Sequence, residues 1–399
     1  MRNAAEERLL DAAMAEVFGR EPVRAHRALH RYLAAALLLL GVGVVALTLW
    51  LPRDDRAPAT MQQPAQEPPL PDEVSAEDEA GFAALPADTV NLVAWLSGPE
   101  QMRWLLRFRG LRRLVVLGMP SGAASQWAGA SAQDTALAPL RALTALEEVQ
   151  LPFDLVVRPE HIAALRELGS LRTLAFGNVV ASPELADAVV ALPALQELRL
   201  TMVAAGAPFF ARLARAGRPL RGLELNACPG LDADAWHAIA ALSGLRRLVV
   251  TCQHEGTTRV AGATHKLGTL GDEAFAAFAA LPDLRELGLD ESSFDDRMLL
   301  RLPKGLQLLD LGDRPMGALA ADALRPLAAL RDLTFGCGLD AAVAAEVLGA
   351  LHLQRLDYRG WLQPEVLRAV AAQPGLVEFA ARLRAPIDLA PLATAPRLA

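Results

Sequence analysis

Apolar residues recur along most of the chain in one short pattern: Leu, two variable residues, an apolar residue, one variable residue, an apolar residue. Copies start at Leu111 (LRRLVV), Leu146 (LEEVQL), Leu171 (LRTLAF), Leu195 (LQELRL), Leu220 (LRGLEL) and Leu245 (LRRLVV). They continue at Leu284 (LRELGL), Leu306 (LQLLDL), Leu330 (LRDLTF), Leu353 (LQRLDY) and Leu376 (LVEFAA). Successive starts lie 22–25 residues apart except for two steps of 35 and 39, which read as insertions. The alternation at the end of each motif predicts a short half-buried strand. Between motifs, stretches such as LADAVVALPAL, DADAWHAIAALSGL and GDEAFAAFAALPDL predict short Ala-rich helices. No such strand is stable alone. Stacking supplies each with backbone partners and buries the Leu columns of all of them.

A second apolar pattern has no period. Residues 32–51, YLAAALLLLGVGVVALTLWL, carry no charge, and as a helix they match the ~30 Å hydrocarbon core of a bilayer. Tyr32 and Trp50 stand near its two ends, where amphipathic rings favour the headgroups. Arg20, Arg24, Arg27 and Arg31 precede it, whereas Arg53 and Arg56 after it are interleaved with Asp54 and Asp55. The positive-inside rule predicts a cytoplasmic N-terminus and an extracytoplasmic C-terminal bulk, periplasmic or at the cell surface. A cleaved signal peptide fits less well, because the leading region and the apolar run are both too long. Within the expected cytoplasmic tail, 1–31, residues 5–18 predict a short amphipathic helix bearing Leu9, Leu10, Ala13, Met14, Val17 and Phe18. Residues 52–86 are rich in Pro and acid and predict an extended tether.

The repeated motif resembles the leucine-rich repeat family, whose unit is LxxLxL followed by a return segment. The resemblance covers residues 87–399, about eleven repeats. It implies an α/β solenoid with short parallel strands on a concave face and short helices on a convex one, here preceded by one transmembrane helix. It also implies a binding scaffold rather than an enzyme, and the arrangement of charged tail, span, tether and Ala-rich repeats looks like single-pass, membrane-anchored repeat proteins of bacterial type.

Reading the motif across repeats gives candidate surface columns. The second position carries Arg112, Arg172, Arg221, Arg246, Arg285 and Arg331. The third includes Arg113, Glu148, Glu197, Arg247, Glu286, Asp332 and Arg355, and the fifth Arg199, Glu224, Asp310 and Asp357. All three positions are expected on or near the concave face. Acids and bases alternate between neighbouring strands, ~4.8 Å apart, and can pair laterally. The face is then either a self-compensated solvated surface or a polar site for a protein partner. Its poverty in aromatics leaves it without an obvious anchor residue.

Composition narrows the functions. Of 399 residues, 53% are hydrophobic, which excludes a wholly disordered chain, and three cysteines exclude a disulfide-dense scaffold. A net charge of -7 argues against nucleic acid as the main partner. Cys228 and Cys252 follow consecutive strands at offsets of 8 and 7 residues from their motif starts. They either close a disulfide or fill two core slots as buried thiols. The larger insertion, 251–272, holds Cys252, His254, Glu255 and His265 without zinc-site spacing, and reads as a surface loop. His161, His237 and His352 lie in return segments and read as structural. No phosphate-binding loop, GxSxG, HExxH or CxxC is present. No catalytic group, cofactor, metal or small-molecule substrate is expected. The expected function is a membrane-anchored protein-interaction scaffold. The alternatives are a transmembrane signalling adaptor, whose tail docks a cytoplasmic regulator, and a structural envelope protein.

Overall fold

The computed structural model describes residues 73–118, 127, 135–217, 220–314, 316–317, 319–336, 340–382 and 388–395. The expected tail (1–31), span (32–51), the tether as far as residue 72, and Cys337 lie outside them. Among the described residues no helix is long and apolar enough to cross a membrane.

Each motif becomes one strand. The strands are β1 (Val74–Ala76), β2 (Asn91–Trp95), β3 (Arg113–Leu117), β4 (Glu148–Gln150), β5 (Thr173–Val180), β6 (Glu197–Ala204), β7 (Gly222–Asn226) and β8 (Arg247–Thr251). They continue with β9 (Gly256–Val260), β10 (Ala263–Leu267), β11 (Glu286–Gly288), β12 (Leu308–Asp310), β13 (Asp332–Phe335), β14 (Arg355–Trp361) and β15 (Glu378–Arg382). Thirteen of them form one sheet in chain order, interrupted only where β11 follows β8. Every pair in that sheet is parallel. β9 and β10 form a separate antiparallel hairpin.

The register aligns the motif positions one for one. From Arg113, partners run through Glu148, Thr173, Glu197, Gly222, Arg247, Glu286, Leu308, Asp332, Arg355 and Glu378. Successive side chains of a strand point to opposite faces, so the fourth and sixth positions share the inner face. Leu174 and Phe176, Leu198 and Leu200, Leu223 and Leu225, and Leu248 and Val250 are all buried there. The return segments close the other side of this core. The helix Ala207–Arg215 buries Phe209, Phe210 and Leu213, and Ala233–Ala240 buries Ala235, Trp236, Ala238 and Ile239. Ser182, Asp232 and Asp340 accept a backbone N–H at the start of their helices, which satisfies one otherwise unpaired donor in each. Buried His161 does similar work, its Nδ1 accepting from Arg158 N at 3.2 Å.

Ordered structure begins before the expected boundary at residue 87. β1 pairs with β2, and the helix Glu79–Ala84 follows, capped by Asp78 with Gly81 N donating to Oδ1 at 2.7 Å. Ala76 and Phe82 are buried. The few apolar residues among the acids of this stretch add a turn to the solenoid, so its last part is not a tether. In the first insertion, Trp127 is fully buried and its Nε1 donates to Leu96 O at 2.8 Å.

Candidate interaction surface

The open face of the sheet presents the third and fifth motif positions. Their charges are joined in a ladder that crosses strands. Arg113 pairs with Glu73 and lies 3.5 Å from Glu148. Arg199 Nη1 donates to Glu148 Oε1 at 2.8 Å, two strands away, across the nearly buried Thr173 between them. The same guanidinium lies 3.4 Å from Glu197 and 3.8 Å from Glu224. Arg247 continues the ladder to Glu224 at 3.6 Å and Glu286 at 3.7 Å. Leu308 interrupts it in β12. It resumes with Arg355, which holds both oxygens of Asp332 at 3.0 and 2.9 Å. Gly222 makes room for this network: a Cβ there would stand 2.9 Å from Glu197 Cγ.

A second charged group lies where the strands leave the sheet. Arg359 Nη1 donates to Asp290 at 3.0 Å and Nε to Asp357 at 3.1 Å, with Asp313 at 3.9 Å. The side chains of Arg359 and Asp290 meet over two glycines. A Cβ on Gly336 would crowd Arg359, and one on Gly312, whose φ is +62°, would overlap Asp290. Burial alone would lower the Arg359 pKa, but its bonds to Asp357 and Asp290 outweigh that and hold it up. Burial pushes the Asp310 carboxyl up, against the opposing hydrogen bond from Gly312 N at 2.9 Å. The motif ends at its sixth residue and so gave no reason to single out Arg359. The extension of the strand pattern past the motif, seen also in the eight-residue β5 and β6, is the signal that finds it.

The second-position arginines stand apart from the other candidates. They sit one residue before the strands and are not part of the open-face ladder. Arg285 Nη1 donates to Leu284 O at 3.0 Å, and Arg331 Nη1 to Leu330 O at 2.8 Å and Ala328 O at 3.1 Å. Arg112 lies 3.7 Å from Glu147. Arg172, Arg221 and Arg246 are exposed. Among the described residues no carboxylate lies within ion-pair distance of these three.

The two cysteines do not pair. Their one-residue difference in offset sends them to different surroundings. Cys228 is buried in the core with Sγ 3.4 Å from Leu200 O, whereas Cys252 sits at a left-handed φ of +55° with Sγ donating to Glu291 Oε2 at 2.9 Å. The alternative of two buried thiols holds for Cys228 only, because Cys252 is half-buried. Burial raises both thiols to about 12, and at Cys252 the Glu291 carboxylate adds to it.

The larger insertion is the β9–β10 hairpin. Ala261 and Gly262 turn it with φ of +47° and +85°. It folds back past two repeats and lies against β5 and β6, where Ala261 N donates to Asn178 Oδ1 at 2.6 Å. His265 pairs across the hairpin with Thr258, while His254 Nδ1 lies beside its neighbour's carbonyl, Glu255 O, at 3.3 Å. Among the described residues, no three or more His, Cys, Asp or Glu side chains are gathered as a metal site would need.

Sequence comparison finds no matching family model and no matching curated protein. Among solved structures, an internalin of Listeria monocytogenes is 16% identical, with a TM-score of 0.38 over 74% of this chain and 81% of its own. A leucine-rich repeat protein of Leptospira interrogans is 16% identical, with a TM-score of 0.35 over 82% of this chain and 81% of its own. TLR13, in its complex with ssRNA13, is 14% identical, with a TM-score of 0.41; the match covers 81% of this chain and 50% of that one. At these values the likeness carries no functional argument. The leucine-rich-repeat architecture rests on this chain's own motif and register.

Proposed function

We propose that this chain is a non-catalytic scaffold that holds a protein partner on its repeat solenoid, tied to a membrane through residues 32–51 with the solenoid on the extracytoplasmic side. The reading is carried by one observation: a thirteen-stranded parallel sheet leaves one broad, largely polar face that no helix of the described residues covers. Rigid, extended faces of this kind are what stacked repeats supply for binding. The uncharged span and its asymmetric arginine flanks support the anchoring and the orientation.

Two measurements test the halves of this reading separately. A compartment reporter fused after Ala399 is expected to read extracytoplasmic, and a cytoplasmic signal overturns the orientation. A photo-crosslinking residue at Val249 or Thr334, on the open face, is expected to capture a defined protein from the native envelope. The same residue at Arg215, on the helix side, is not. Equal yields from both sides would remove the scaffold reading of the open face.

A further inference from the structure

The open face and the strand-entry edge treat charge in opposite ways. On the open face every arginine of the ladder has a carboxylate within ion-pair distance. Recruiting those charges for a partner first requires breaking pairs that already exist. At the entry edge one sign dominates. The backbone ladder there joins Arg112, Glu147, Arg172, Gln196, Arg221 and Arg246, and continues through Arg285, Gln307 and Arg331. Six of these nine residues are arginine and one is acidic. Arg221, Arg246 and Arg285 stand on adjacent strands, ~4.8 Å apart, where like charges repel. Arg285 is turned onto local carbonyls, whereas Arg172, Arg221 and Arg246 keep their guanidiniums in solvent. In a chain of net charge -7 this is a concentrated positive row, and among the described residues only its Arg112 has a carboxylate partner, Glu147.

The opposite edge is already occupied. Between β5 and β8 the β9–β10 hairpin folds back over the turns that leave the sheet, bonded to Asn178. The entry edge has no such cover among the described residues. We infer that the arginine row at Arg172, Arg221 and Arg246 is a docking edge for an extended acidic peptide segment of a protein partner, lying across the strands. This rests on the scaffold reading above and relocates its charged contact from the centre of the open face to its rim.

The geometry suits that occupant. From β5 to β8 the three solvent-facing arginines cross four strands, three steps of ~4.8 Å, or about 14 Å. That is the length of about four residues of extended chain at ~3.3 Å each. The planar guanidinium fork matches a carboxylate in two-point contact. A single-stranded nucleic acid would call for aromatic platforms interleaved with the basic groups. The edge residues named above include none.

Fluorescence anisotropy of the full-length chain in non-ionic detergent tests the proposal, with a labelled glutamate peptide of about ten residues as probe. Binding is expected in low salt. It is expected to weaken steeply as salt rises from about 0.1 M to about 1 M, where the screening length falls from ~10 to ~3 Å. The triple variant R172Q/R221Q/R246Q is expected to lose about tenfold or more in affinity, the sum of three exposed charge contacts. Arg199→Gln, on the open face, is expected to leave it unchanged. Should the triple variant fold poorly by circular dichroism, the single Arg221→Gln, expected to weaken binding about twofold, serves in its place. Three results would overturn the docking edge: no binding in low salt, equal binding by R172Q/R221Q/R246Q and the parent, or tighter binding of an oligothymidylate of equal charge. Loss of peptide binding with open-face cross-links intact sinks this inference alone. Loss of the open-face cross-links with peptide binding intact sinks the scaffold reading of that face.

Discussion

At the scale of single residues, chemistry follows from which side of the chain an offset reaches. Cys228 and Cys252 differ by one position in their repeats, and that difference places one thiol in the core and the other beside a carboxylate. Neither is a ready nucleophile, because only the thiolate reacts and both are held near 12. Burial is the first cause at Cys252, and the Glu291 carboxylate is the second. Replacing Glu291 with Gln removes the negative charge that opposes ionisation. The Cys252 pKa is then expected to fall, and its alkylation by iodoacetamide at a fixed mildly alkaline pH to accelerate about three- to fourfold for each unit of the fall, the gain in thiolate less its lower nucleophilicity. Cys228 is the internal control and stays unmodified in the native protein. Mass-spectrometric counting of modified cysteines against time reads both, and an unchanged Cys252 rate means that burial alone protects it.

At the scale of the element, the recurring unit is a strand with a left-handed residue seven positions after the start of its motif. Asn178, Met202, Ala227, Cys252 and Glu291 occupy the same place in successive repeats, with φ of 54°, 52°, 48°, 55° and 53°. Left-handed backbone costs an L-residue ~1–2 kcal/mol relative to Gly. The repeats accept that cost where the side chain has other work: Asn178 receives the hairpin and Cys252 meets Glu291. Ala227 has no side chain that can hydrogen-bond, and only its backbone is engaged, N donating to Thr251 O at 3.0 Å. Ala227→Gly is therefore expected to stabilise the protein by about 0.5–1 kcal/mol, the relief of strain less the added freedom of the unfolded chain. Chemical denaturation would show a higher midpoint at unchanged slope. A lower midpoint would mean that the turn is not strained.

At the scale of the whole molecule, stability is distributed along a line. Each repeat contacts chiefly its neighbours, so the array holds together through successive interfaces rather than one central core. Leu223 is fully buried in β7, near the middle of the sheet, with Leu198 and Leu248 beside it in register. Leu223→Ala is expected to cost about 2–5 kcal/mol. Its effect is expected to be local: hydrogen exchange accelerates most in β6, β7 and β8, while β2 and β14 keep their protection. Uniform loss of protection along the sheet would show instead that the array unfolds as one unit. The same linear design explains how two edges of one sheet come to differ. One carries an intramolecular strap that spans several repeats, and the other a row of arginines.

The repeat, its strands and the lateral alignment of their residues were legible in the sequence. The reason is physical: one strand per repeat in a parallel stack makes the motif position and the sheet column the same thing. The alternation of Arg113, Glu148, Arg199, Glu224 and Arg247 therefore predicted ion pairs that the register permits. Tertiary structure alone decided matters that depend on the direction of a side chain or on contacts between distant repeats. It set the second-position arginines at the strand-entry edge, because they precede the strand and its alternation. It separated Cys228 from Cys252, because a left-handed turn falls at one of them. It sent the 251–272 insertion back to Asn178, 83 residues from Ala261, and took Val74–Ala84 into the solenoid because stacking buries the few apolar side chains there. Periodicity carries information only between residues that repeat. Where a segment occurs once, its partner is chosen by packing.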